Sequence, residues 1–161
     1  MPALGKTHLP VTDRGVERLQ GSSLAEDLSF LLARANALAL AAANSALAQH
    51  GLKARSYSVL ALAADVGPTQ RELADFLRLD PSQVVTLVDE LEKRDLVQRR
   101  PDPTDRRANV VVATDAGRAL FVRAQRSART VEKALRAALS PADQEKFAAL
   151  MRLLAFPADH R

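Results

Sequence analysis

Four arginines gather around one short segment and set its chemistry. From Leu96 to Gly117 the chain reads LVQRRPDPTDRRANVVVATDAG, with Arg99 and Arg100 before a turn and Arg106 and Arg107 after it. Val97 to Arg100 and Ala108 to Val112 have strand composition, and Pro101 to Asp105 between them carry turn chemistry. A two-stranded ribbon this short is marginal alone, and its tip has nothing apolar to bury. A charged tip of this kind suggests a reach toward an anion, and clustered arginines point to nucleic acid. Asp105, two residues before Arg107, can brace its guanidinium, and an arginine held rigidly suits a narrow, electronegative minor groove. Arg99, Arg100 and Arg106 are read as phosphate contacts, which carry charge but little sequence information.

The elements ahead of the ribbon must aim it. From Thr69 the sequence TQRELADFLRLDPSQVVTLVDELEKRDLV splits into two short amphipathic helices at Arg78 to Pro81. Thr69 with Glu72 fits a capping box, and Asp80, Pro81 and Gln83 repeat the device with aspartate as N-cap and proline at the first helical position. Two capped starts so close together make a helix-turn-helix. Leu73, Ala74 and Leu77 give the first helix its apolar face; Val84, Leu87, Val88 and Leu91 give the second its own. By elimination the second helix turns Ser82, Gln83, Val85, Thr86, Asp89, Glu90 and Lys93 outward. An exposed valine is poorly explained as solvated surface and better as a contact to a thymine methyl, with Gln83 free to pair with adenine. Thr69 and Gln70, at the start of the first helix, join Ser82, Gln83, Val85 and Thr86 as candidate DNA contacts. A basic hairpin following such a pair has the layout of a winged helix-turn-helix.

The order and spacing of five segments make the chain recognisable: RSYSVLALAAD at 55–65, TQRELADFL at 69–77, PSQVVTLVDELEKRDLVQR at 81–99, DPTDRR at 102–107 and TDAGR at 114–118. Over roughly residues 25 to 156 the chain resembles the MarR family of bacterial transcription regulators. The resemblance implies an obligate homodimer on a pseudo-palindromic operator, with two recognition helices in successive major grooves and two wings in the flanking minor grooves. In that family the Asp-x-Arg pair, here Asp105 and Arg107, is the wing signature. Thr86 stands where a basic residue is common, and Asp95 where glycine is common; aspartate tolerates the left-handed conformation, so the turn is expected to survive. The resemblance also implies a pocket for a small aromatic or amphipathic anion whose binding lowers DNA affinity. Arg34, Asn44 and Tyr57 are the candidate lining residues, although caps and surface positions explain such polar residues equally well.

Composition is consistent with this reading. The 161 residues suit one domain, 47% hydrophobic and 26% charged is ordinary globular material, and abundant alanine with few aromatics favours packed helices. The fold class expected is mainly α with a small β-hairpin wing. Residues 1–21 read as a flexible arm, and 22–161 as one domain, with the winged core at about 54–113 and dimerisation helices at about 22–50 and 114–156. In the scaffold, Ser22 or Ser23 caps a helix to His50 stopped by Gly51, a second helix covers Ala54 to Asp65, Thr114 caps a helix to about Leu139, and Ser140-Pro141 starts the last, reaching Phe156. Large apolar residues from Leu139 to Phe156 would be too exposed on a monomer.

The net charge of +4 is a weak argument for DNA. Between Thr69 and Arg118 nine Lys/Arg face ten Asp/Glu, so the case rests on where the charges sit. Arg123, Arg126, Arg129, Lys133 and Arg136 form a basic stripe read mainly as a solvated face. Without cysteine there is no disulfide or thiol switch, and His8, His50 and His160 are too scattered for a metal site; no cofactor is expected. No nucleophile set, phosphate-cradling glycine loop or metal-ligand pair marks an enzyme. A winged helix that binds protein instead of DNA is the alternative, with a small helical enzyme behind it. No apolar run reads as long enough to span a bilayer and no signal peptide is evident, so a cytoplasmic protein without membrane contact is expected.

Overall fold

The computed structural model describes residues 13–102, 105 and 108–157. Its elements run α1 (Asp13–Gln20), a 3-10 turn (Ser23–Glu26), α2 (Leu28–Leu47), a 3-10 turn (Ala48–His50), α3 (Ala54–Asp65), α4 (Gln70–Leu77), α5 (Pro81–Lys93), β1 (Val97–Pro101), β2 (Asn109–Ala113), α6 (Asp115–Leu135) and α7 (Pro141–Ala155). This is the mainly helical, winged architecture expected. The chain divides into two compact units, Met1–Leu38 and Ala39–Arg161.

The larger unit holds the core. Val59 and Leu60 of α3, Leu73 of α4, Val84, Val88 and Leu91 of α5, Val97 of β1 and Val111 of β2 are all at most 1% exposed. Leu120, Phe121 and Ala124 of α6 close it from another side. The apolar faces read from helical spacing therefore meet in one seam.

Local chemistry places the breaks. Thr69 and Glu72 form the reciprocal capping box: the Glu72 main-chain N–H donates to Thr69 Oγ1 at 3.2 Å, and the Thr69 N–H donates to Glu72 Oε2 at 2.7 Å. Arg78 ends α4 and Asp95 follows α5, both in the left-handed region, with φ of 53° and 55°. Gly51 stops the end of α2 at φ 63°. Thr114 and Ser140 cap α6 and α7 through their hydroxyls, as expected. Asp80 occupies the N-cap of α5 ahead of Pro81, but its side chain makes no cap bond; its carbonyl takes the Gln83 N–H at 3.0 Å instead.

Several boundaries differ from the sequence reading. Neither Ser22 nor Ser23 caps α2. Asp27 does so, its Oδ1 accepting the Phe30 N–H at 2.8 Å, and the helix starts at Leu28. Ser22 instead donates its hydroxyl to the Leu19 carbonyl, closing α1, a helix in the segment read as a flexible arm. The helix expected to reach Leu139 ends at Leu135, the first wing strand runs one residue further to Pro101, and the second is shifted by one, to Asn109–Ala113. Leu28–His50 is also long and apolar enough, by length and composition, to cross a membrane, contrary to the expectation that no run qualifies. Its alanines and leucines raise the average although Arg34, Asn36, Asn44 and Ser45 interrupt the run.

The hairpin pairs antiparallel, with Val97 opposite Ala113, Arg99 opposite Val111 and Pro101 opposite Asn109. Its root is sewn to the helices on both sides. Thr69 bridges Val110, and the Val111 N–H donates to the Pro68 carbonyl at 2.7 Å. On the other side, Thr114 donates its hydroxyl to Asp95 O and its N–H to Leu96 O, at 2.6 and 3.1 Å. Gly117 lies so close that a Cβ there would fall 1.9 Å from the Leu96 carbonyl oxygen. Only glycine permits that approach of α6 to the wing root.

Candidate nucleic-acid interface

The first turns of α5 and strand β1 both carry exposed polar side chains on the larger unit. Ser82, Gln83 and Thr86 are exposed, and Val85 is 39% exposed while Val84 beside it is fully buried. The helical repeat alone produces this division, since a residue three or four positions from a core contact joins the core and its neighbours do not. Thr86 donates its hydroxyl to the Ser82 carbonyl at 3.0 Å, so its donor is engaged and its oxygen is left as an acceptor.

Thr69 is turned inward chemically: its hydroxyl donates to Glu72 at 2.9 Å while accepting that residue's N–H, so its donor is already engaged. Hydrogen bonds from Thr69, main chain first and side chain second, hold the Glu72 carboxyl below the usual glutamate range. Gln70 has its carbonyl oxygen bound to Arg99 Nε at 2.7 Å, which leaves its NH2 end as the available donor.

The wing arginines divide. Arg100 is exposed and leans on Gln98, whose amide oxygen, turned toward it, accepts from Nη2 at 2.6 Å and Nε at 3.2 Å. Arg99 goes the other way, toward α5, where Nη2 meets Asp89 Oδ1 at 2.5 Å and Nη1 meets Glu92 Oε2. Arg106 and Arg107 lie outside the described residues, as do Pro103 and Thr104 of the turn. Near the tip, the Asp105 N–H donates to Asp102 Oδ1 at 3.3 Å, and the Asp102 N–H to the Ala108 carbonyl at 2.9 Å.

At the C-terminal half of α5 lies a cavity of about 690 Å³. Leu40 of α2 and Leu87 and Leu91 of α5 give it apolar walls, and Lys53, Arg55, Lys93 and Arg94 supply cations against the one carboxylate of Glu90. Arg94, at the C-cap of α5, donates to the Gly51 and His50 carbonyls at 2.6 and 3.2 Å, so it ties the end of α5 to the end of the α2 segment.

The three residues expected to line a pocket do not share one. Asn44 borders this cavity, with its Oδ1 accepting the Ala54 N–H at 2.7 Å. Tyr57 instead packs on Phe121, ring centroids 5.9 Å apart, and burial pushes its hydroxyl pKa up. Arg34 belongs to the N-terminal unit, where it borders a groove of about 460 Å³ with Val16, Leu19, Phe30 and Leu31. Sequence reading missed Lys53, Arg55, Lys93 and Arg94. A signal was present, since they bracket the N-terminus of α3 and the last turn of α5, the two helix ends that Gly51 and Asp95 bring into turns.

The basic stripe of α6 is exposed along Arg123, Arg126, Arg129 and Lys133, and Arg136 pairs with Glu132 at 3.0 Å. His50 bonds Ser127 at 3.0 Å. His8 and His160 lie outside the described residues.

The family model for MarR regulators matches residues 50–108. A MarR-family transcriptional regulator from Rhodococcus sp. RHA1 is 38% identical, with a TM-score of 0.78 over 85% of this chain and 99% of that one. CouR from Rhodococcus jostii RHA1, solved with p-coumaroyl-CoA bound, is also 38% identical, with a TM-score of 0.79 over 87% of this chain and 99% of its own. The transcriptional repressor CouR bound to a 23-mer DNA duplex matches at 30% identity and a TM-score of 0.76, over 84% of this chain and 96% of that one. No curated protein matches the chain.

Proposed function

Because the chain belongs to the MarR family of transcriptional regulators, we propose that it is a homodimeric repressor whose hold on a pseudo-palindromic operator weakens when an amphipathic anion fills the cavity at the C-terminal half of α5. The observation that carries this reading is the exposed polar first turn of α5 on the same unit as the arginine-bearing strand β1, whose root is stitched to the helices. Gln83 and Val85 read base edges in the major groove, and Arg100 meets backbone phosphate. Asp105, Arg106 and Arg107 complete the set of residues assigned to DNA in this reading. The chain acts in the cytoplasm by binding alone, with no catalysis of its own.

Homodimerisation accounts for the exposed apolar residues. Phe147, Leu150, Leu153 and Leu154 of α7 are 46–69% exposed, and a second copy supplies the surface that covers them. The same covering explains why an α2 apolar enough to cross a membrane belongs to a DNA-binding protein.

The effector is an aromatic acid or its thioester. The cavity offers an apolar body with cations at its rim, the complement of such a ligand, and a 38% identical regulator has been solved holding p-coumaroyl-CoA. Its wall is the recognition helix itself, so an occupant bears directly on α5. A carboxylate or phosphate at the rim competes with the Gly51 and His50 carbonyls for Arg94, and a charge-assisted bond is roughly twice as strong as a neutral one. Releasing Arg94 frees the end of α5.

Fluorescence anisotropy tests the reading. The full chain is titrated onto the duplex it selects from a random library, with and without p-coumaroyl-CoA or 4-hydroxybenzoate. Tight, salt-sensitive binding that one of these ligands weakens is expected. Binding that neither ligand alters would remove effector control through this cavity.

A further inference from the structure

Consecutive residues on a strand face opposite ways, and Arg99 and Arg100 are consecutive. Arg99 shares its face with Val97, which is 1% exposed, and stands opposite fully buried Val111. That face looks onto α5. There each guanidinium nitrogen has an acceptor: Nε holds Gln70 Oε1 at 2.7 Å, Nη1 holds Glu92 Oε2, and Nη2 holds Asp89 Oδ1 at 2.5 Å. Glu92 also takes the Arg99 main-chain N–H through Oε1 at 3.1 Å, so one carboxylate grips both the backbone and the side chain of the strand.

We propose that Arg99 is a positioning residue for DNA recognition, which sets the angle between recognition helix and wing by tying β1 to Asp89 and Glu92 of α5 and to Gln70 of α4, and makes no phosphate contact itself. This rests on α5 and the wing being the DNA-contacting surface.

Charge supports the division of labour. One guanidinium stands between two carboxylates, so the local sum is negative and a phosphate arriving there meets net repulsion. Burial disfavours the charge on Arg99, but hydrogen bonds and charges from Asp89 and Glu92 outweigh it and raise its pKa. The cluster is partly exposed, so its separate ion pairs are screened and weakly stabilising. What they supply together is geometry. A two-stranded ribbon does not hold its own orientation, and the planar fork of arginine satisfies acceptors on two helices at once. Lysine, a single point charge, cannot.

The test uses the full chain and two labelled duplexes: the one it selects from a random 30-base-pair library, with length chosen as roughly three helical turns, and a scrambled version. Anisotropy is followed over a range of KCl concentrations, and circular dichroism monitors folding. Arg99→Gln is expected to weaken binding to the selected duplex by about tenfold, within the range of coupled networks. It should leave the scrambled duplex and the slope of log affinity against log salt nearly unchanged. Arg99→Lys should fail to restore the loss. Arg100→Gln should weaken both duplexes alike and lower the slope by about one.

Asp89→Ala and Glu92→Ala provide the check should Arg99→Gln fold poorly. Removing an acid beside DNA ordinarily tightens binding to any sequence; here each is expected to weaken binding to the selected duplex. A slope lowered by about one on Arg99→Gln would make Arg99 a phosphate contact and overturn the proposal. So would rescue by lysine, tighter binding by both acid variants, or a melting temperature that falls while selectivity stays intact. Wild-type protein that binds neither duplex would overturn the DNA-contacting surface and the proposal with it.

Discussion

Leu91 and Leu153 are the same residue on helices of similar length, α5 and α7, yet Leu91 is 1% exposed and Leu153 is 69% exposed. Around Leu91 the faces of α3, α4, α5 and the hairpin meet within one chain. Around Leu153, Leu150 at 50% and Leu154 at 62% repeat the exposure, and α7 has no buried residue. The contrast separates two sources of stability. The winged core is satisfied by its own sequence, whereas the large apolar side chains of α7 stay exposed among the described residues.

The largest expected effect breaks the comparison at α7. Leu150→Glu with Leu154→Glu removes four large apolar side chains from a twofold interface, at ~1.5–3 kcal/mol each, a loss on the order of 6 kcal/mol. Sedimentation velocity should then show a monomer whose far-UV spectrum retains the helices of the core. A persistent dimer would place the interface elsewhere.

A middle-sized effect sharpens the contrast. In that monomeric background Leu91→Ala should cost ~2–5 kcal/mol of unfolding free energy in urea, while Leu153→Ala should change it by less than ~0.5 kcal/mol. Equal costs would mean that α7 packs on its own chain.

Much of the core was legible before any coordinates. Thr69 with Glu72, Gly51, Asp95, Thr114 and Ser140 each carry a local device whose partner lies within a few residues, and such devices leave a fixed spacing in sequence. Asp27 was missed because Ser22 and Ser23 offered an equally good local cap, and choosing among them depends on where the chain turns. The direction of Arg99 was missed for a different reason. Composition marks it as a wing cation like Arg100, but alternation from Val97 already puts it on the inner face. Asp89, assigned to an outer face, and Glu92, given no role at all, were its partners. The close approach at Gly117 and the stack of Phe76 on Phe156, with centroids 5.8 Å apart, depend on tertiary placement and leave no periodic trace.

The smallest effect concerns the start of α4. Hydrogen bonds hold the Glu72 carboxyl below its unfolded value, so its contribution is present above the ordinary glutamate range and is lost as pH falls through the lowered folded value. Glu72 is exposed, which limits the contribution to less than ~1 kcal/mol. Glu72→Gln should be slightly less stable than wild type at neutral pH, and the two urea curves should converge in acid. A gap that widens in acid would mean the carboxylate is not what the capping box uses.

Hydroxyl-radical footprinting of the full chain on its selected duplex probes twofold DNA recognition by α5 and the wing most directly. Two equivalent protected patches about one helical turn apart, roughly 10 base pairs, each flanked by protection on the minor-groove side, are the expected result; one unsymmetrical patch would contradict it.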